Sequence, residues 1–111
     1  MTHPLLERLA AGPILADGAV GTMLYAAGAG LDDCFDGLNR DNPAMVAAVH
    51  RAYLAAGSGL LKTNTFAANR VKLEAFGLAG TTREINRAGA KLSAREAREI
   101  AGSDALVAGS V

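Results

Sequence analysis

Leu60-Leu61-Lys62-Thr63, set between Gly57-Ser58-Gly59 and Asn64-Thr65-Phe66, is the stretch on which the fold turns. A short, mostly apolar run closed off by turn residues reads as a buried strand over 60–63. Both of its flanks read as helices. On the amino-terminal side, Asn42-Pro43 makes a helix start, because Asn can cap and Pro suits the first helical position. Val46, Val49, Tyr53 and Ala56 then recur at helical spacing, and Gly57 is a natural stop. On the carboxyl-terminal side, residues 67–76 read as a helix ending at Gly77. Thr81 with Glu84 matches a capping box, and the helix it opens runs to about Ala101. Ile85, Ala88, Leu92 and Ile100 share one face of that helix, where Glu96 also falls, a carboxylate among apolar neighbours.

Two more brief apolar runs lie beyond these helices. Ile14-Leu15-Ala16 stops at Asp17-Gly18, and Ala105 to Ala108 precedes Gly109-Ser110-Val111. Residues 4–11 read as a short leading helix ending at Gly12-Pro13, and the Gly- and Asp-rich residues 19–41 as a long, partly helical connection. The order is therefore strand, helix, strand, helix, strand. Short apolar strands separated by amphipathic helices predict an α/β fold with parallel pairing and right-handed crossovers. Strands covered on both faces are continuous in their apolar character, as these are. Neither a second domain nor a repeat beyond the βα unit is evident.

Composition narrows the function classes. Lys plus Arg equals Asp plus Glu at 11 each, so no net field draws the chain to nucleic acid or an anionic membrane. The charges also alternate, as in Arg83-Glu84 and Arg95-Glu96, the pattern of a solvated helix face. Gly or a charge breaks every apolar stretch before it reaches membrane-spanning length. Met1-Thr2-His3-Pro4 does not open a signal peptide, and the expected location is the cytoplasm. Cys34, the single cysteine, excludes an internal disulfide and cannot make a metal site alone.

Two clusters carry chemistry, and each comes directly after a strand. In Asp17-Gly18-Ala19-Val20-Gly21-Thr22 the glycines let backbone approach a ligand closely, Asp17 offers a carboxylate and Thr22 a hydroxyl. An Asp there could pair with an ammonium while neighbouring N–H groups hold a carboxylate, a combination that suits an amino acid. The competing reading is a strand-ending turn with Asp17 as a cap, which spacing alone favours. The second cluster is Lys62-Thr63-Asn64-Thr65-Phe66, at the strand end where ligands bind in α/β sheets and barrels; its competing reading is a helix cap at Asn64 or Thr65. His50, inside the 43–56 helix, reads as a packed or surface residue rather than a catalyst. Cys34 reads as a half-buried small apolar residue. The glycines near Asp17 form neither a Walker loop nor a dinucleotide fingerprint.

These clusters resemble the homocysteine S-methyltransferase family. Asp17-Gly18-Ala19-Val20-Gly21-Thr22-Met23-Leu24 is similar to the opening motif of its homocysteine-binding domain. Cys34-Phe35-Asp36-Gly37-Leu38-Asn39 with Pro43 is similar to the next segment. His50, Tyr53 and Ala56-Gly57 fit the first helix. Thr63-Asn64-Thr65-Phe66 with Ala68-Asn69, Lys72-Leu73 and Gly77-Leu78 fits the family's succeeding stretch. Ile85-Asn86 and the Ala-rich helix carry the likeness to Val111. The motifs are specific taken together and weak singly.

The resemblance implies a (β/α)8 TIM barrel and transfer of a methyl group to the thiol of homocysteine, giving methionine. It implies a zinc ion held by three cysteine thiolates, which would lower the substrate thiol's pKa. It implies Asp17 and Gly18 at the amino acid end of homocysteine, with Thr22 and Asn64 lining the same pocket. Homocysteine and a methyl donor are the implied partners. The chain departs from the family pattern in its metal ligands: Cys34 matches none of the zinc cysteines, so these residues alone are expected to bind no zinc. A barrel of this kind runs to about 250 residues. Residues 1–111 are thus expected to be the amino-terminal portion of the domain, its first three βα units with the barrel incomplete, inactive alone and open to self-association along bare sheet edges. Two other readings stay open: a non-catalytic, self-associating α/β module, and a different TIM-barrel enzyme that binds an anion at the Asp17–Thr22 turn.

Overall fold

In the computed structural model, residues 3–99 and 103–111 are described. Helix α1 (Pro4–Ala11) leads, then α2 (Gly21–Ala26), α3 (Leu38–Asp41) and α4 (Pro43–Ala55). Strand β1 (Leu60–Lys62) comes next, then α5 (Arg70–Glu74), a 3-10 turn (Ala79–Thr81), α6 (Thr82–Glu99) and β2 (Leu106–Ala108). The expected end of the last helix near Ala101, and Ile100 with it, lie outside the described residues.

β1 and β2 pair in parallel, with Leu60 opposite Leu106, Leu61 opposite Val107 and Lys62 opposite Ala108. The expected strand at 14–16 is reduced to a single parallel bridge between Ala16 and Leu60. Gly59 N–H donates to Leu15 at 2.7 Å and Asp17 N–H to Leu60 at 2.9 Å, so the parallel direction holds although the ladder is short. Paired residues in parallel strands share a face and successive residues alternate. Ala16, Leu60, Lys62, Leu106 and Ala108 therefore face one side. Asp17, Leu61 and Val107 face the other, toward the helices.

That second face holds the core. Leu61 is fully buried with Leu54 of α4 and Ala97 of α6. Leu24, Val46, Val49 and Leu92 bring α2, α4 and α6 together, and Ala68, Leu73 and Ile85 pack under α5. Each such large side chain contributes roughly 1.5–3 kcal/mol by leaving water. Val107 shares the face of Leu61 but stays exposed, because no described element covers it.

Local signals shape the ends. Gly57 and Gly77 take positive φ, at 104° and 71°, and stop the helices before them as expected. Three expected caps change hands. Asn42 precedes α4 without a side-chain capping bond. Thr81 does not form a capping box with Glu84: its hydroxyl donates back to Leu78, and Glu84 approaches Arg40 instead. The helix foreseen over 67–76 shrinks to 70–74, because Asn69, and not Asn64 or Thr65, caps it by accepting from Lys72 N–H at 3.0 Å. Among the described residues no helix is long and apolar enough to cross a membrane.

A candidate substrate cleft at the strand ends

The two sequence clusters meet. Residues just past the Ala16 bridge and residues just past β1 line one cleft of about 450 Å³, with Gly18, Gly21, Phe35, Lys62, Thr65 and Phe66 among its walls. It sits at the carboxyl ends of the parallel segments, where α/β folds place ligands. Phe66 is exposed at its mouth.

Of the four residues picked out from sequence, Gly18 and Asn64 line this cleft. Gly18 is packed so closely that a Cβ would lie 2.9 Å from the Tyr53 hydroxyl. Tyr53 in turn donates to Ala19 O at 2.8 Å and pins the turn onto α4. Asn64 spends both amide hydrogens on structure, donating to Phe35 O at 2.9 Å and to Asn39 Oδ1 at 3.0 Å. Thr22 is exposed in the first turn of α2, next to Gly21 and outside the lining. Asp17 lies behind the wall. Its side chain is fully buried, Oδ2 accepts from Lys62 N–H at 3.1 Å, and Oδ1 stands 3.8 Å from Lys62 Nζ with no hydrogen-bond partner among the described residues. The Lys62 side chain is about half exposed, so water screens this long pairing.

A hydroxyl ring ties the loops after β1 and β2 together. Ser110 N–H donates to Thr63 Oγ1 at 3.0 Å, and Thr65 Oγ1 donates to Ser110 O at 2.9 Å. The two threonine hydroxyls lie 2.6 Å apart, which leaves Thr63 as the donor between them. Asn39 closes the other side, donating to Asn64 O at 2.7 Å and to Ile85 O at 3.3 Å. Asp36 also lines the cleft, and its Oδ2 accepts from Ala67 N–H at 2.9 Å. Burial pushes the Asp36 carboxyl above its ordinary range, opposed by that N–H. Sequence alone does not mark Asp36, Asn39 or Ser110 as site residues. Asp36 and Asn39 sit inside the 34–39 motif, whose spacing was the only available signal.

His50 is wholly buried on α4, one turn before Tyr53 and Leu54, with Ser93 Oγ 3.1 Å from its Nε2. Burial pushes the imidazole below its ordinary range, while the Asp17 and Glu96 carboxylates pull it partway back. The folded state therefore binds fewer protons at this residue than the unfolded state just below the ordinary value near 6.5. Stability tied to His50 is present above that value and is lost as pH falls through the window beneath it. The expected result is a lower urea midpoint at pH 5.5 than at pH 7.5, with the difference reduced in His50→Asn. An unchanged midpoint in the parent protein would contradict it.

The metal implied by the resemblance does not fit these residues. Cys34 is the lone cysteine and half-buried. Among the described residues no three His, Cys, Asp or Glu side chains cluster as ligands.

The profile of the family described as Homocysteine S-methyltransferase matches residues 14–111. Methionine synthase of Mycobacterium leprae (strain TN) is 36% identical over 106 residues, which span 90% of this chain and 9% of that protein. Betaine–homocysteine S-methyltransferase 1 of Danio rerio is 45% identical over 74 residues, 64% of this chain and 18% of its own length. The homocysteine methyltransferase MmuM from Escherichia coli, in its metallated form, superposes with a TM-score of 0.82 at 29% identity, covering 98% of this chain and 41% of that one. The chain thus spans less than half the length of each.

Proposed function

From the premise that the chain belongs to the homocysteine S-methyltransferase family, we propose that residues 1–111 supply part of a homocysteine pocket in a cytoplasmic methyltransferase that forms methionine. Three βα units are the opening of a TIM barrel in this reading, and the bare edge at β2 receives the next strand. The observation that carries it is the convergence of the 18–21 turn and the 62–67 loop on one cleft. The two segments are far apart in sequence, and the parallel bridge between Ala16 and Leu60 sets them side by side at the strand ends.

The site chemistry comes from the groups at hand. Backbone N–H groups of the Gly18–Gly21 turn meet the carboxylate of the substrate, because glycine lets the chain come close. Asp17, buried behind the wall with Oδ1 3.8 Å from Lys62 Nζ and without a hydrogen-bond donor among the described residues, meets the substrate ammonium by turning into the cleft and releasing Lys62. Asn64, with both hydrogens committed, offers its Oδ1 to the same end of the ligand. Thr22 takes the rim. Phe66 excludes water from the mouth and faces the methyl donor. The zinc of the whole enzyme would be held by residues outside 1–111. Those 111 residues bind and orient the amino acid and are inactive alone.

The test joins residues 1–111 in frame to the carboxyl-terminal remainder of a family barrel and assays homocysteine-dependent methionine formation with zinc present. Methyl transfer is expected. Asp17→Asn should raise the KM for homocysteine by roughly tenfold to a hundredfold, the loss of one charge-assisted hydrogen bond. A folded chimera that binds zinc yet never homocysteine would end this reading.

A further inference from the structure

One neighbouring segment grips the loop that follows β1. Ala68 N–H donates to Thr65 O at 3.0 Å, so Phe66 and Ala67 form the corners of a tight turn. That bond uses only the end groups of the turn, and the corner N–H of Ala67 finds its partner elsewhere, in Asp36 Oδ2 at 2.9 Å. The same stretch of chain holds the start of the loop. Asn64 Nδ2 donates to Phe35 O at 2.9 Å, and Asn39 Nδ2 donates to Asn64 O at 2.7 Å. Residues 35–39 thus fix the loop both at its entry and at its corner.

Phe66 is the group that this grip places. It lines the cleft yet is 76% exposed, so packing does not fix its ring. Its position follows from the backbone on either side. Thr65 is tied through its hydroxyl to Ser110 O at 2.9 Å, and Ala67 is tied to Asp36. Asp36 is 7% exposed, and among the described residues no Lys, Arg or His comes within 4 Å of its carboxylate. A buried carboxylate without a cation depends on N–H donors. A charged acceptor in turn makes a bond roughly twice as strong as a neutral one.

We propose that Asp36 is a positioning residue of the cleft: through Ala67 N–H its carboxylate sets the 65–68 turn, and with it the Phe66 ring, at the mouth where the amino acid enters. The inference deepens the homocysteine reading and rests on it for its functional consequence. The effect of Asp36 on the ligand passes through Phe66. With the turn held, the ring covers the ligand; with the turn released, the ring moves freely and water enters the mouth. Release therefore weakens homocysteine binding and leaves the later methyl transfer almost unchanged.

Two measurements test it. The first is amide hydrogen exchange on the labelled full chain. Asp36→Ala is expected to speed exchange at Ala67 by about tenfold, while Leu92 in the middle of α6 keeps its rate. An unchanged Ala67 rate would overturn the proposal. So would an equal rise at Leu92, which would make Asp36 a residue of general stability. The second measurement is kinetic, in the chimera. Asp36→Ala is expected to raise the homocysteine KM about tenfold with kcat within about twofold, and Asp36→Asn, which keeps a neutral acceptor, to raise it only about threefold. In a Phe66→Ala background, Asp36→Ala should add less than about twofold, because the group it positions is gone. Additive effects of the two substitutions would overturn the proposal. Where Asp36→Ala does not fold, Asp36→Asn carries both readouts, with about threefold expected at Ala67 and in KM. Failure of the parent chimera to use homocysteine at all would sink the functional reading, while exchange at Ala67 would still decide whether Asp36 holds the turn.

Discussion

Arg51→Leu is expected to lower stability by about 3 kcal/mol, near the low end of what breaking a buried ion pair costs. The reason lies in Glu96. Its side chain is only 2% exposed on the inward face of α6, next to Leu92, Ser93 and Ala97, while Arg51 on α4 is 57% exposed. The guanidinium clamps both carboxylate oxygens, Nε to Oε2 at 3.1 Å and Nη2 to Oε1 at 3.0 Å. Removing Arg51 strands a charge in an apolar setting, and the half-exposed arginine allows some water to replace it, which keeps the loss at the lower figure. The double variant Arg51→Leu with Glu96→Leu should recover most of it, because a packed apolar pair needs no compensation. Urea titration of the parent, both single variants and the double variant gives the coupling. A single Arg51→Leu variant within about 0.5 kcal/mol of the parent would mean that the clamp adds nothing beyond an ordinary surface pair.

The same ion pair shows where sequence reading stops. Glu96 is visible from helical periodicity as a misplaced carboxylate; its partner, 45 residues earlier on another helix, is not. The features legible in advance are those written locally. Gly57 and Gly77 stop helices by positive φ, Pro43 opens α4, and the apolar runs at 60–63 and 105–108 become β1 and β2. The first apolar run fell short because, among the described residues, Ile14–Ala16 is paired by a single bridge to β1. Helix α5 shrank for a related reason. Ala67 N–H is taken by Asp36 and Ala68 O by Asn86, so the chain from 65 to 68 is held as loop by partners distant in sequence. In the cleft, glycine spacing and a polar strand end pointed to the two segments that converge there. They could not reveal that Asn64 is held by Asn39, or that Asp17 turns toward the helices. Both facts depend on the face each residue takes once strands pair, which a one-residue shift in register would reverse.

Gly89→Ala should cost about 1–3 kcal/mol and at the same time weaken homocysteine binding in the chimera. In an ordinary helix interior the change would stabilise, since alanine is favoured over glycine by up to about 1 kcal/mol. Here α6 presses directly on the cleft's supports. A Cβ at Gly89 would lie 2.7 Å from Asn39 Nδ2 and 2.8 Å from Thr65 Cγ2. Either α6 backs away, opening the seam under Leu92, or Asn39 gives up Asn64 O and Ile85 O. The first route is overpacking at roughly 1–3 kcal/mol; the second leaves buried amide groups unpaired at a similar cost. Both routes also move Thr65, whose hydroxyl joins the loops after β1 and β2. Stability and ligand affinity are thus coupled through one missing methyl group. Gly80→Ala is the matched control, since a Cβ there meets nothing within 4 Å, and it should leave both quantities unchanged or slightly improved. Equal behaviour of the two variants in urea titration and in homocysteine KM would show that α6 does not brace the cleft.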